Sequence, residues 1–336
     1  MPTTYAIPDG RVAMAATTYT GTGASLAVAN TVNGVNFQPD FVWVKGRSGA
    51  TDHALYDSVR GTTKDLVSNA TSAETTQATG LTAFGSTGFT VGALAKMNTS
   101  AATYVGWQWK AGGTAVSNTA GSITSSVSAN VSAGFSVVTY ASTTGTVGHG
   151  LGVAPSMVIM KSRNVADQWT VYHVSKGNTI GIPLNSTGAG DVNSGFWNNT
   201  SPTSTVFSQG SWNSGYNKVA YCFAPVAGYS AFGSYTGNGS ADGPFVYTSM
   251  RPRWIMLKRT DSTSDWRIYD SARTPSNVDD NVLEANTADA EDTASGAIDV
   301  LSNGFKLRDA GANNISGGTY IYYAVAENPF KYANAR

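Results

Sequence analysis

Three stretches of the chain are apolar at every position instead of alternating: Phe41-Val42-Trp43-Val44, Met157-Val158-Ile159-Met160 and Trp254-Ile255-Met256-Leu257. Runs this short, bounded by turn residues, predict central strands buried on both faces. Each run follows a proline (Pro39, Pro155, Pro252) and ends in a lysine (Lys45, Lys161, Lys258), and eleven residues after each lysine comes a tyrosine (Tyr56, Tyr172, Tyr269). Two fixed intervals kept three times predict an internal repeat, tandem modules of one fold. Further strands are expected at Tyr104 to Trp109, Phe135 to Tyr140, Val219 to Phe223 and Tyr320 to Val325. Comparison of the copies places Trp107, Tyr221 and Tyr323 at one position. It also places Trp212 in line with Phe89 and Phe305, each after a turn glycine, as a core residue.

Many short strands separated by turn signals predict an all-β protein of three tandem β-sandwich modules of jelly-roll or Greek-key kind. The expected division is an extended N-terminal arm over 1–17 and a first module over 18–113. A linker and second module follow over 114–228, then a third module over 229–336. The Gly/Ser/Thr-rich stretch from Ala111 to Ser122 has no core pattern and is read as linker. At 336 residues the chain is long enough for three modules of ordinary domain size, each expected to fold by itself.

Charge narrows the partners. Lys+Arg and Asp+Glu balance at 21 each and only 12% of residues are charged, so no footprint for nucleic acid or anionic lipid is visible. No apolar stretch approaches the length of a membrane span, and the N-terminal sequence has no charged region followed by an apolar one. A soluble protein without Sec export is expected. Cys222 is the only cysteine, in an apolar run, and is read as a buried inert thiol.

Candidate chemistry is sparse. His53 lies three residues before Tyr56, where the other copies have Trp169 and Trp266, so it is read as a packing residue; His149 and His173 have no histidine counterparts. No zinc-ligand spacing occurs and no cofactor is expected. Asp57 and Asp270 recur beside the tyrosine with Arg60 and Arg273 at one offset, read as pairs bracing a turn. Asp279-Asp280 and Glu291-Asp292 are weak candidates for calcium. The three lysines are read as solvated strand ends. Phe196 and Trp197 have no aligned partners and sit in polar sequence beside Asn198 and Asn199. Indole faces and amides suit a sugar ring, so these four form the candidate glycan-binding set; the alternative is that Trp197 plugs its own module or a neighbouring subunit.

The stretches HGLGVAPSMVIMKSR from His149, YVGWQWKAGG from Tyr104, GSYTGNGSADGPFVYTSMRPRWIMLKRTDS from Gly233 and the ending AENPFKYANAR resemble a repeat found in marine bacteriophage tail-fibre and other virion proteins. The similarity covers nearly the whole chain. It implies lectin-like sandwiches in a virion structural protein, made in the host cytoplasm, and no catalytic residues. A tail fibre or tail-associated adhesin is expected, with capsid decoration or a glycan-cleaving depolymerase as alternatives. Expected partners are other virion proteins through the N-terminal arm, a host-surface glycan and further copies of the chain.

Overall fold

The computed structural model of the protein describes residues 6–326 except 33, 142, 294 and 295. Almost every regular element is a strand, and one strand order occurs three times. An opening strand pairs with a closing strand, which pairs with the lysine-bearing strand, which pairs with the tyrosine-bearing strand. In the first repeat these are Met14–Thr20, Thr103–Trp109, Phe41–Gly46 and Ala54–Asp57. In the second they are Phe135–Ala141, Asn217–Phe223, Met157–Ser162 and Thr170–His173. In the third they are Ser230–Thr236, Thr319–Ala326, Pro252–Arg259 and Trp266–Asp270. All the pairings are antiparallel, and the registers correspond. Tyr56, Tyr172 and Tyr269 lie opposite Val42, Val158 and Ile255, while Trp107, Tyr221 and Tyr323 lie opposite Trp43, Ile159 and Met256.

The uniformly apolar runs have a physical reason: each large sheet is covered on both faces. Val42 and Val44 face a small outer sheet through a core that includes Phe89 and Tyr104. Val158 with Met160, and Ile255 with Leu257, do the same in the other repeats. The intervening residues point the other way, as period two requires. There Phe41, Trp43, Met157, Ile159, Trp254 and Met256 meet in one continuous core to which all three repeats contribute. Phe41 stacks on Tyr221 at 4.2 Å, Trp109 meets Trp254 edge-on at 5.4 Å, and Phe223 lies 5.0 Å from Tyr323. Each fully buried large side chain contributes about 1.5–3 kcal/mol, so the largest core of the molecule belongs to no single repeat. The modules, each expected to fold by itself, share this core.

Two expectations change. Ile7 is buried in the common core, Gly10–Val12 forms a 3-10 turn capped by Asp9, and the first strand starts at Met14. Most of the expected arm is therefore part of the body, and residues 1–5 of it lie outside the described residues. The stretch from Ala111 to Ser122 is also built in: Ala111 is buried in the common core, and Val116–Asn118 pairs with Ser125–Asn130 at the edge of the second large sheet. Its glycines serve close approach. A Cβ on Gly112 would collide with the Ala129 carbonyl, and one on Gly121 with that of Thr146.

Candidate functional site

The residues that recur in threes converge on the seams between repeats. Lys45, Lys161 and Lys258 are buried, contrary to the solvated strand ends expected, and each reaches a backbone carbonyl of another repeat. Lys45 Nζ donates to Ala288 O at 3.1 Å and Asp289 O at 2.7 Å, Lys161 Nζ to Thr71 O at 3.2 Å, and Lys258 Nζ to Thr187 O at 2.8 Å. Of these carbonyls Ala288 O, Thr71 O and Thr187 O also accept a backbone N–H, from Thr51, Asp167 and Ser264 respectively. Burial pushes all three ammonium groups down to about 8.

A ring nitrogen completes each latch. Trp169 Nε1 donates to Val67 O at 2.8 Å and Trp266 Nε1 to Pro183 O at 2.7 Å; His53 Nε2 lies 3.0 Å from Glu284 O. Every latch follows the same order, first repeat to third, third to second, second to first. The contacts thus close a ring within one chain, the cyclic form of a head-to-tail interface. Asn69, Asn185 and Asn286 hold the receiving segments by accepting from the backbone N–H of His53, Trp169 and Trp266. Sequence comparison missed these asparagines. Asn69 and Asn185 follow their tyrosines at one distance, but an insertion sets Asn286 four residues further from Tyr269.

Charge distinguishes the seams. Asp57 and Asp270 bond Arg60 and Arg273 in their own repeats and accept Tyr221 Oη and Trp107 Nε1 from neighbours, at 2.8 and 2.9 Å. Glu74 takes Arg60 from its own repeat and both nitrogens of an Arg163 fork; Glu291 takes Arg273 and Arg47 likewise. Burial alone would raise both glutamates, but the guanidinium groups overcome it and hold them below the usual range. Glu291 is thus committed to arginine and not presented to a cation. At the third seam the corresponding residues are His173, Lys176, Gly190 and Thr260. His173 Nε2 lies 3.1 Å from Tyr322 O, and its ring lies 6.3 Å from that of Phe232.

All three histidines use Nδ1 as acceptor, from Trp43 Nε1, Leu151 N and Ser175 N, and Nε2 toward a carbonyl. Each is therefore neutral with its proton on Nε2. Burial pushes His53 down to about 3 and His173 to about 4, and lowers His149. Cys222 is buried and its thiol is pushed far up, which leaves it without thiolate character.

The candidate glycan-binding set does not assemble as expected. Phe196 and Trp197 lie in the short helix Ser194–Trp197 with 1% of their surface exposed, inside the second repeat's own core. Trp197 Nε1 donates to Ile180 O at 3.0 Å and its ring meets Tyr172 at 5.7 Å. The aromatic part of a receptor contact is thereby removed, and Trp197 plugs its own repeat. Only Asn198 and Asn199 are exposed, both left-handed, with φ of 50° and 48°, as suits asparagine closing a helix. The position aligned with Phe89 and Phe305 belongs to Phe207, opposite Val147, rather than to Trp212, which is half-buried against Phe196.

An open cleft of about 610 Å³ lies where the first repeat meets the turn after Asn130. Its one carboxylate, Asp40, already accepts Ser58 Oγ and Ala111 N, both at 2.8 Å. Lys110, Gln38 and Ser132 offer polar groups beside exposed Val131; the cleft can hold a small polar ligand but pairs no acid with a base. Among the described residues no helix is long and apolar enough to cross a membrane.

Residues 12–329 match a family model described as a domain of unknown function (DUF7483). No curated protein and no solved structure matches the chain.

Proposed function

The chain belongs to the DUF7483 family, and from that premise we propose that it is a bacteriophage virion structural protein, a tail fibre or tail-associated adhesin that presents a rigid β-sandwich ring to a host-surface glycan. The observation that carries this reading is the use made of the residues occurring in threes. Lysine, ring nitrogen and asparagine all serve ring closure, and the seam carboxylates are bonded to arginine. A scaffold that closes on itself in one chain suits a particle component carrying load, and the long stretches resembling virion proteins point the same way. Because the latch edges are satisfied internally, any assembly of further copies uses other faces. The test is to image purified phage with a gold-labelled nanobody against this protein, and to use the free protein as a competitor of adsorption. Label on the tail with competition is expected; label on the capsid moves the protein to decoration, and its absence from the particle refutes the reading.

A further inference from the structure

The outer sheets have three, two and three strands, but each contains one matching pair, an edge strand beside the strand that carries Phe89, Phe207 or Phe305. The third copy of that edge strand departs from the others in a way the fold does not require. In the third repeat, Phe245–Tyr247 pairs with Gly304–Leu307 at the sheet's edge, and Val246 and Phe305 point into the core. The flanking residues point outward: Phe245 is 45% and Tyr247 63% exposed. The registers identify their counterparts. Val28 faces Phe89 between Ala27 and Ala29, and Val147 faces Phe207 between Thr146 and Gly148. The same strand is thus complete with small residues at both outward positions, twice. Two large aromatics in the third copy add nothing that the sheet needs.

Their setting suggests what they meet. An added Cβ on Gly304 would lie 2.9 Å from Cε2 and from Cζ of Phe245, so the ring rests against the glycine backbone and turns its other side to solvent. Covering a glycine does not explain it, because Gly88 holds the corresponding place in the first repeat beside Ala29. Around the pair lie two ion pairs, Lys306 with Asp242 at 2.7 Å and Arg308 with Asp299 at 3.0 Å. Their charges cancel, which gives no attraction to an anionic bilayer or nucleic acid. They also break up the continuous apolar surface that a protein partner's core contact would use. A pyranose ring matches both features: C–H faces for the aromatics, and hydroxyls for ammonium, guanidinium and carboxylate groups.

We propose that Phe245 and Tyr247, with Lys306, Asp242, Asp299 and Arg308 at the rim, form a carbohydrate-binding platform that takes a pyranose residue of a bacterial surface polysaccharide. This deepens the attachment reading and rests on it. The experiment uses the full chain on immobilised lipopolysaccharide O-chains and capsular polysaccharides from a panel of bacteria. The wild type is compared with F245A/Y247A, which installs the residues of the first repeat, and with Y247A alone, a change at a largely exposed position that the fold tolerates. Binding by the wild type, lost by at least about ten-fold in the double variant with unchanged thermal unfolding, is expected. Equal binding by wild type and both variants overturns the platform and leaves the attachment reading standing. No binding of any polysaccharide by the wild type overturns both.

Discussion

His53 stands where the other repeats place Trp169 and Trp266, and it reproduces their bond across the seam with different chemistry. An indole can only donate, whereas imidazole also accepts, and here it accepts from Trp43. That double role requires the neutral ring, so protonation costs the fold. Burial and the nearby Lys45 push the ring down to about 3, below its unfolded value of about 6.5. Its contribution is complete above pH 6.5 and is lost as pH falls toward 3. Glu284, pushed up by burial to about 7, titrates with the opposite sign, its contribution present below about pH 4.5 and lost as pH rises, so the informative quantity is a difference. The stability gap between wild type and His53→Gln, from urea midpoints at pH 7 and 4.5, is expected to narrow by on the order of 2 kcal/mol. A constant gap would show that the ring titrates alike in the folded and the unfolded chain, so that burial does not depress it. The interval from lysine to tyrosine made His53 legible as a packing residue. Its acceptor, the Glu284 carbonyl, was not legible, because a backbone carbonyl has no signature in sequence.

The seams differ in how the chain connects them. The second closing strand ends at Phe223 and the third opening strand begins at Ser230, whereas Trp109 and Phe135 bound a longer passage between the first and second sheets. First and third have no direct connection. The arginine–glutamate forks occur at the two seams with a long connection or none, and are missing where a short tether holds the partners at high effective concentration. Within a fork the partners are unequal. Arg47 is 23% exposed at its side chain, but Glu291 also holds Arg273, which is wholly buried. Arg47→Ala is expected to cost less than about 1 kcal/mol and Glu291→Ala about 3 kcal/mol, read from urea unfolding. Equal losses would mean that the fork, and not the buried arginine, dominates.

At the scale of the molecule the common core decides how the protein unfolds. Phe135, Met157, Ile159, Trp169, Tyr221 and Phe223 of the second repeat all face that core. Residues 114–228 by themselves would expose this surface, well beyond what soluble monomers tolerate. The whole chain should therefore unfold in one transition by calorimetry and by tryptophan fluorescence, and the isolated 114–228 fragment should aggregate or stay unfolded. Three separate transitions, or a folded fragment, would restore the picture of beads on a string.

The all-β class, the strands buried on both faces and the equivalence of Tyr56, Tyr172 and Tyr269 were readable along the chain, because strand period and turn chemistry are local. So were the Asp57–Arg60 and Asp270–Arg273 pairs, whose partners lie three residues apart. What covers the second face of each sheet was not readable. The run Phe41 to Val44 reads the same whether Trp43 meets its own module or two others, and a lysine at a strand end looks solvated until a carbonyl from another repeat lies over it. Phe196 and Trp197 looked exposed because their neighbours in sequence are polar, yet burial is set by neighbours in space. Only the tertiary structure brings Tyr172, Ile180 and Trp212 around them, and only the register of the outer sheets reveals Phe245 and Tyr247 as large aromatics where the other repeats carry small outward residues.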